Sequence, residues 1–214
     1  MSDSFMVAAR IQMSRAGFET WLATPVPGVA AIENPARMYD GWSWHGKETP
    51  GQWPAPERIG TPRDHVAQRI EQTCQGQPEL TILRHRDGAL EAYFFNLGYG
   101  TFDHALLILA AAKAFRSDEG EDLALYWAEA AGWLVEPDGS DCLAVLAIGA
   151  GRVRFVDSWD LSATVAALTP VQDSYFDLVE AIGADSQGWD WNSERQFFTA
   201  APRDPRFVDP SVLG

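Results

Sequence analysis

The feature that most constrains the fold of this sequence is an Asp-Gly pair between two short runs of strand-forming residues. Residues 81–86 precede Asp87-Gly88, and residues 89–95 follow it. Asp-Gly readily adopts the positive φ angles of a two-residue hairpin turn, so the stretch predicts two antiparallel strands. A second hairpin is predicted at 142–157, around the turn formed by residues 149–151.

Helical patterns alternate with these hairpins. After the capping pair Thr61-Pro62, apolar side chains recur every four residues, which predicts a helix to about Gln75. Residues 123–131 alternate like a strand but are rich in alanine, and we favour a helix there. Pro170 is expected to separate two later helices. The remaining helices are predicted at 101–115, 161–168 and 170–183. Hairpins mixed with helices predict an α+β fold with a mainly antiparallel sheet.

Two segments are expected to be irregular within one domain spanning 1–214. Residues 24–62 contain seven prolines, a density that forbids long helices and interior strands. Trp42, Trp44 and Trp53 are expected to hold this segment over the core as a cover. The tail at 188–214 is again rich in proline. A possible opening strand lies within 5–14, and Leu134 is expected in a short strand at 133–135.

Composition limits the cellular setting. No stretch reaches the roughly 18 consecutive apolar residues of a membrane span. The first five residues have no basic region ahead of an apolar stretch, so we expect no secretory signal. The only cysteines are Cys74 and Cys142, which lack any metal or disulfide pattern and are expected to be inert thiols. These observations predict a cytoplasmic protein.

The negative charge is concentrated in one part of the chain. The net charge is −14, but residues 1–116 hold 12 acids and 11 bases. Residues 117–190 hold 15 acids and only two bases, and residues 191–214 hold three of each. Such a field repels nucleic acid and anionic membrane and accelerates association with basic proteins. We therefore expect a basic protein partner.

No catalytic pattern is assembled in the sequence. The four histidines are widely spaced, no metal-ligand spacing occurs, and no glycine-x-serine-x-glycine elbow exists. A carboxylate beside Cys142 disfavours its thiolate. We therefore predict no catalytic residues, no metal and no cofactor. Two alternatives stay open: a hydrolytic enzyme built from dispersed carboxylates and histidines, and a regulatory oligomer, with a homodimer as one form.

The candidate partner-binding residues are acids and tryptophans of the acidic region. Tryptophans beside carboxylates suit an interface with a basic protein, because aromatic side chains anchor and acids steer. For the run at 157–160, the competing interpretation is a helix cap at Asp160 together with a core tryptophan. Residues 118–122 are expected to form a solvated link. The candidates are Asp118, Glu119, Glu121, Asp122, Glu136, Asp138, Asp141, Asp157, Trp159, Asp160, Trp189, Asp190 and Trp191. Trp127 and Trp133 are interleaved with them.

Residues 126–137, Tyr-Trp-Ala-Glu-Ala-Ala-Gly-Trp-Leu-Val-Glu-Pro, are predicted as a helix end, a glycine, a short strand and an acid-proline pair. With the acidic α+β composition, this pattern resembles the immunity proteins of bacterial polymorphic-toxin and type VI secretion systems. The group it is most similar to is paired with restriction-endonuclease-like nuclease toxins. The resemblance covers residues 79–157. It implies a cytoplasmic protein that binds and blocks a toxin from a sister cell, and it assigns no individual site residue.

Overall fold

The opening segment Phe5–Gln12 is a central strand of a six-stranded antiparallel sheet in the computed structural model. The structure describes residues 4–39, 53–77, 79–98, 101–116, 119–128, 134–156, 160–185 and 200–214. The strands are β1 (Phe5–Gln12), β2 (Thr81–Arg86), β3 (Ala89–Leu97), β4 (Glu121–Ala128), β5 (Cys142–Gly149) and β6 (Arg152–Val156). Their order is β2-β3-β1-β4-β5-β6. The α-helices in these ranges are α1 (Arg15–Leu22), α2 (Pro62–Cys74), α3 (Phe102–Ala110) and α4 (Ser162–Asp185). The α+β class is confirmed.

Both predicted hairpins are present. Asp87 and Gly88 have φ angles of 49° and 74°, so both turn residues take the left-handed conformation that the Asp-Gly pair allows. β2 and β3 pair from Arg86 opposite Ala89 outwards. β5 and β6 form the second hairpin, and Gly151 supplies a φ of 75° at its turn. Local turn chemistry therefore sets these two strand pairs.

The helix predicted at 123–131 is wrong, because residues Glu121–Ala128 form strand β4. β4 lies between β1 and β5, with Leu125 opposite Ala8 on one side and Val145 on the other. Its middle is buried on both faces, so it appears in the sequence as a continuous apolar run. Residues 126–128, which open the immunity-protein pattern and are predicted as the end of a helix, therefore belong to a strand. Leu134 and Val135 also lie outside any strand.

Three helices pack on one face of the sheet. The ring of Phe102 in α3 lies 5.3 Å from Phe5, and His65 in α2 lies 6.3 Å from Phe94. α1 reaches the same face through Phe18, which is fully buried. Side chains alternate between faces along a strand, so Phe5 and Phe94 mark one side of the sheet.

The start of α2 is as predicted. The Thr61 hydroxyl accepts the backbone N–H of Asp64 at 3.2 Å, and the Asp64 carboxylate accepts the backbone N–H of Thr61 at 2.9 Å. This reciprocal pair satisfies two N–H groups at the helix start. Its side-chain hydrogen bond to Thr61 lowers the pKa of Asp64. The helix ends at Cys74, within one residue of the prediction.

The opposite face of the sheet is covered by α4. The ring of Tyr175 lies 4.2 Å from that of Phe95 on β3. The Arg84 guanidinium on β2 donates to the Ser174 hydroxyl at 3.1 Å and to the Glu91 carboxylate at 2.8 Å. α4 is therefore fixed to the sheet by aromatic packing and by a buried ion pair beneath it.

The predicted break at Pro170 is wrong. α4 is one helix of 24 residues that continues through Pro170. Proline leaves the carbonyl four residues earlier, at Ala166, without its helical hydrogen bond. Ala166 and Pro170 are both exposed, so water can serve that carbonyl. Burial of Leu168 and Val171 on the inner side holds the two halves in line.

Both outer strands of the sheet are already paired along their middle. At β2, Leu83 N–H donates to the Phe207 carbonyl at 2.9 Å, and Asp209 N–H donates to the Leu83 carbonyl at 2.8 Å. At β6, the Asn34 side chain donates to the Phe155 carbonyl at 2.9 Å and accepts the Phe155 N–H at 2.7 Å. These contacts cover edges that could otherwise pair with another chain.

The segments predicted to be irregular contain only short 3₁₀ turns where they are described, at Val29–Ala31, Pro35–Tyr39, Pro56–Arg58, Ala201–Arg203 and Pro210–Val212. Trp53 packs against Phe155, with 6.4 Å between ring centroids, so its part of the 24–62 segment does cover the core. Trp42 and Trp44 lie outside the described residues. The two cysteines are free thiols. None of the helices in the described ranges has the length and apolarity needed to cross a membrane.

Candidate protein-binding surface

The helices on the two faces of the sheet differ in charge. On one face, α1, α2, α3 and the 3₁₀ turn Ala111–Ala114 carry four acids and four bases, and we call them the balanced layer. On the other, residues 134–141 and 160–185 carry eight acids and no base, and we call them the acidic layer. These two segments touch, because a Cβ on Gly139 would lie 2.9 Å from the Cβ of Leu161. The fold therefore gathers part of the acidic sequence.

Glu121 and Asp122 do not belong to this layer. The Arg154 guanidinium donates to Glu121 at 2.8 Å, and Arg116 donates to Asp122 at 2.7 Å. Asp122 also accepts the backbone N–H of Gln12 at 2.8 Å. Both acids lie in β4 and are at most one-fifth exposed, so the expectation of a solvated link is wrong for them. Their charges are neutralised inside the protein.

The acids of the 134–141 loop organise the loop itself. Asp141 accepts the backbone N–H of Glu136 at 3.2 Å, and Asp138 accepts that of Ser140 at 2.9 Å. Hydrogen bonds from Ser140 lower the pKa of Asp138, whereas burial raises that of Asp141. Glu136 and Asp138 are exposed, so their side chains contribute to the negative field.

Asp160 is placed at the beginning of α4. Its carboxylate accepts the backbone N–H of Ser162 at 3.1 Å and also the Ser162 hydroxyl. These hydrogen bonds lower the pKa of Asp160 and favour an anion at the helix start. The capping interpretation weighed for this residue agrees with its position. Glu119 is exposed, directly before β4.

The remaining candidates lie outside the described residues, and they stay predictions. They are Asp118, Asp157, Trp159, Trp189, Asp190 and Trp191. Trp133 is also outside. Trp127 is described, but it is fully buried and contacts the ring of Tyr93 at 5.5 Å. It therefore belongs to the core and cannot anchor a partner.

A surface that the sequence reasoning missed lies on the outer side of α4. Phe176 is 56% exposed and Val179 is 42% exposed, whereas Tyr175 and Leu178 beside them are buried. Three exposed acids share this side of the helix. We call the set the α4 stripe: Asp173, Phe176, Asp177, Val179 and Glu180.

A helical-wheel reading of 162–185 could have found this stripe. Val165, Leu168, Val171, Tyr175 and Leu178 recur at spacings of three and four, which is the pattern of a buried helix face. Phe176 directly follows the buried residue Tyr175, so its side chain lies outside the buried face of the helix. The expected break at Pro170 obscured the register, because it divided the pattern between two short helices.

Two further sets of polar groups lie away from the α4 stripe: the histidine pair His65 and His104, and the thiol of Cys142. The His65 and His104 rings are 5.7 Å apart, and burial, Arg69 and His104 lower the pKa of His65 to about 3. Near the 134–141 loop, burial raises the pKa of the Cys142 thiol to about 12, which disfavours a nucleophilic thiolate. Within the described residues, no group of three or more His, Cys, Asp and Glu side chains is arranged to hold a metal ion.

Comparison of the chain with protein-family models, curated proteins and solved structures finds no match.

Proposed function

We propose that this chain is a non-catalytic binding protein whose acidic layer engages a basic protein partner. The observation that supports the proposal is the contrast between the two layers: the two segments of the acidic layer carry eight acids and no base, and the helices and turn of the balanced layer carry equal numbers of each. A one-sided negative field increases the rate of encounter with a positively charged surface and orients the approach.

The specific form that we propose is an immunity protein that neutralises a nuclease toxin in the cytoplasm. A nuclease must present basic side chains to hold nucleic-acid phosphates. An acidic protein can occupy the same surface and exclude the substrate. The same negative field repels nucleic acid and anionic membrane, so a basic protein is the partner that fits the charge.

Co-expression tests this function directly. The proposal predicts that a secreted toxin is encoded beside this gene. The full chain is produced in bacteria together with that toxin, and growth is compared with that of cells making the toxin alone. We expect rescue of growth and a 1:1 complex whose association rate falls as salt is raised. Failure to rescue, or the lack of any complex with that toxin, would contradict the proposal.

A hydrolytic enzyme is a second candidate, and one observation favours it. Asp141 has a pKa raised by burial, and its Oδ2 is buried without a hydrogen-bond partner among the described residues. A partly buried carboxyl group whose pKa is raised can act as a general acid. The test is Asp141→Asn: loss of toxin neutralisation with unchanged binding of the toxin would favour an enzyme, because an amide cannot transfer the proton.

A further inference from the structure

We infer that the α4 stripe is the docking surface for the partner. Phe176 and Val179 insert into an apolar pocket on a basic protein, and arginines or lysines around that pocket pair with Asp173, Asp177 and Glu180. The inference rests on the proposed function and adds to it the location of the contact and the chemistry of the partner's surface.

The exposure of the apolar side chains is the first support. Among the described residues the exposed large hydrophobic side chains are Phe176, Val179 and Leu213, and two of these three are neighbours on α4. The Phe176 ring contacts Tyr175, with 5.4 Å between the ring centroids, yet more than half of the residue remains exposed to water. Covering this exposed apolar surface with a partner would be favourable. Aromatic anchors surrounded by polar side chains are the residues that carry most of the energy in protein interfaces.

The charges around these two side chains define the partner. Residues at i, i+3, i+4 and i+7 of a helix share one side, so Asp173, Asp177 and Glu180 surround Phe176. α4 has no lysine or arginine. Arg206 interacts with Asp177, but the Arg206 guanidinium is held by Asp204 at 3.0 and 2.8 Å. The three carboxylates therefore face solvent beside the ring, unlike Glu121 and Asp122.

Other occupants fit the surface less well. A second copy of this chain would place two acid-only helix faces against each other, and like charges across an interface cost affinity. Nucleic acid and anionic membrane are repelled for the same reason. Addition of a strand to the sheet is blocked at the middle of both edges, where Leu83 and Phe155 already have partners. A basic protein with an apolar pocket remains.

The test uses the full chain and a catalytically inactive form of the toxin encoded beside its gene. Two variants change the α4 stripe: Phe176→Ala/Val179→Ala, and Asp173→Asn/Asp177→Asn/Glu180→Gln. The matched control removes three exposed acids elsewhere: Glu19→Gln/Glu57→Gln/Glu71→Gln. All these side chains are exposed, and unfolding curves establish that each variant is folded. Association and dissociation rates are measured at low and at high salt.

We expect the apolar variant to weaken Kd by about 30-fold or more, mainly through faster dissociation. The acidic variant should slow association at low salt about 10-fold and lose most of its salt dependence. The control should stay within about twofold of the wild type, since removal of charges away from the contact has little effect.

The outcomes separate this inference from the function it rests on. If wild-type protein binds the toxin and both α4 variants bind equally well, the docking surface is elsewhere and the proposed function stands. If the wild-type protein does not bind the toxin, the proposed function and the inference about the α4 stripe are both wrong. If light scattering shows that the free chain dimerises and that Phe176→Ala/Val179→Ala abolishes the dimer, the surface binds a second copy and the inference is wrong.

Discussion

Both layers that cover the sheet bury apolar side chains against it, but one has equal numbers of acids and bases and the other has only acids. The acids of the balanced layer meet bases: Glu19 contacts Arg15 on the same helix at 2.8 Å, and Glu71 contacts Arg203 of the C-terminal segment at 2.8 Å. On α4 the exposed acids have no base on their own helix, and two apolar side chains stand exposed among them. A folded protein does not need this second arrangement for stability, because like charges on one helix face repel. The proposed contact between α4 and a basic partner would account for this difference.

The largest expected effect comes from a comparison of two aromatic side chains. The sequence suggested Trp127 as an anchor for the partner, whereas the structure exposes Phe176. Trp127→Ala should lower the free energy of unfolding by about 3–5 kcal/mol, since it removes a fully buried ring. Phe176→Ala should change it by about 0.5 kcal/mol or less. Urea unfolding at pH 7 measures both. Near wild-type stability of Trp127→Ala would mean that this ring is on the surface after all.

The next effect on stability concerns Arg84, the buried base that lies beneath α4. Glu91→Gln should cost about 3–5 kcal/mol of stability, because it leaves the buried Arg84 charge without its carboxylate at 2.8 Å. Glu33→Gln breaks the exposed pair with Arg152 and should change the stability far less, because solvent screens that pair. Equal losses in the two variants would contradict the view that α4 lies over a buried ion pair.

A pH effect is expected from the balanced layer. Burial is the main reason that the pKa of His65 is about 3 in the folded protein, compared with 6.5 in the unfolded chain. His65 is thus neutral when folded and takes up a proton on unfolding below pH 6.5. Stability is full above pH 6.5 and falls as the pH is lowered, by about 1.4 kcal/mol at pH 5.5.

His65→Phe is the control for this pH effect, and urea unfolding at pH 8 and 5.5 is the measurement. The variant should lose clearly less stability between these pH values. A smaller loss remains, because burial also lowers the pKa of His104. An identical loss in variant and wild type would mean that His65 is not the group that titrates.

The smallest effect compares charge removal in the two triple variants. Asp173→Asn/Asp177→Asn/Glu180→Gln should raise stability by about 0.5 kcal/mol, since it relieves repulsion between carboxylates three and four residues apart. Glu19→Gln/Glu57→Gln/Glu71→Gln should lower it by a similar amount, about 0.5 kcal/mol, through loss of surface ion pairs. Urea midpoints at low salt give the signs, and 0.5 M salt should shrink both effects. A stability change of the same sign in both variants would contradict the electrostatic difference between the layers.

The parts of the fold that the sequence predicts are those set by neighbouring residues. The Asp87-Gly88 turn and the Thr61 cap each depend on a few consecutive side chains, and both appear as predicted. β4 and α4 depend on distant contacts. The alanines of β4 favour a helix, but pairing with β1 and β5 on both sides overrides that preference. Packing on the sheet likewise carries α4 through Pro170.

The candidate site shows the same limit. The sequence locates the excess acid, yet it cannot show that Asp122 has Arg116 as a partner, because that contact depends on the pairing of β4 with β1. The reverse holds for Phe176: its exposure follows from helix periodicity once α4 is read as one helix. Charge counting leads to the third of the chain that contains α4, and helix register is needed to find the side of α4 that faces outwards.

The paired edges of the sheet also bear on how much of this protein a cell can hold. Under the proposed function the protein has to be abundant enough to occupy all of its target, and it must not aggregate at that abundance. Open strand edges are the usual starting point for aggregation, and here Asn34 covers one edge and the 207–209 segment the other. The fold is therefore compatible with production in large excess over a toxin.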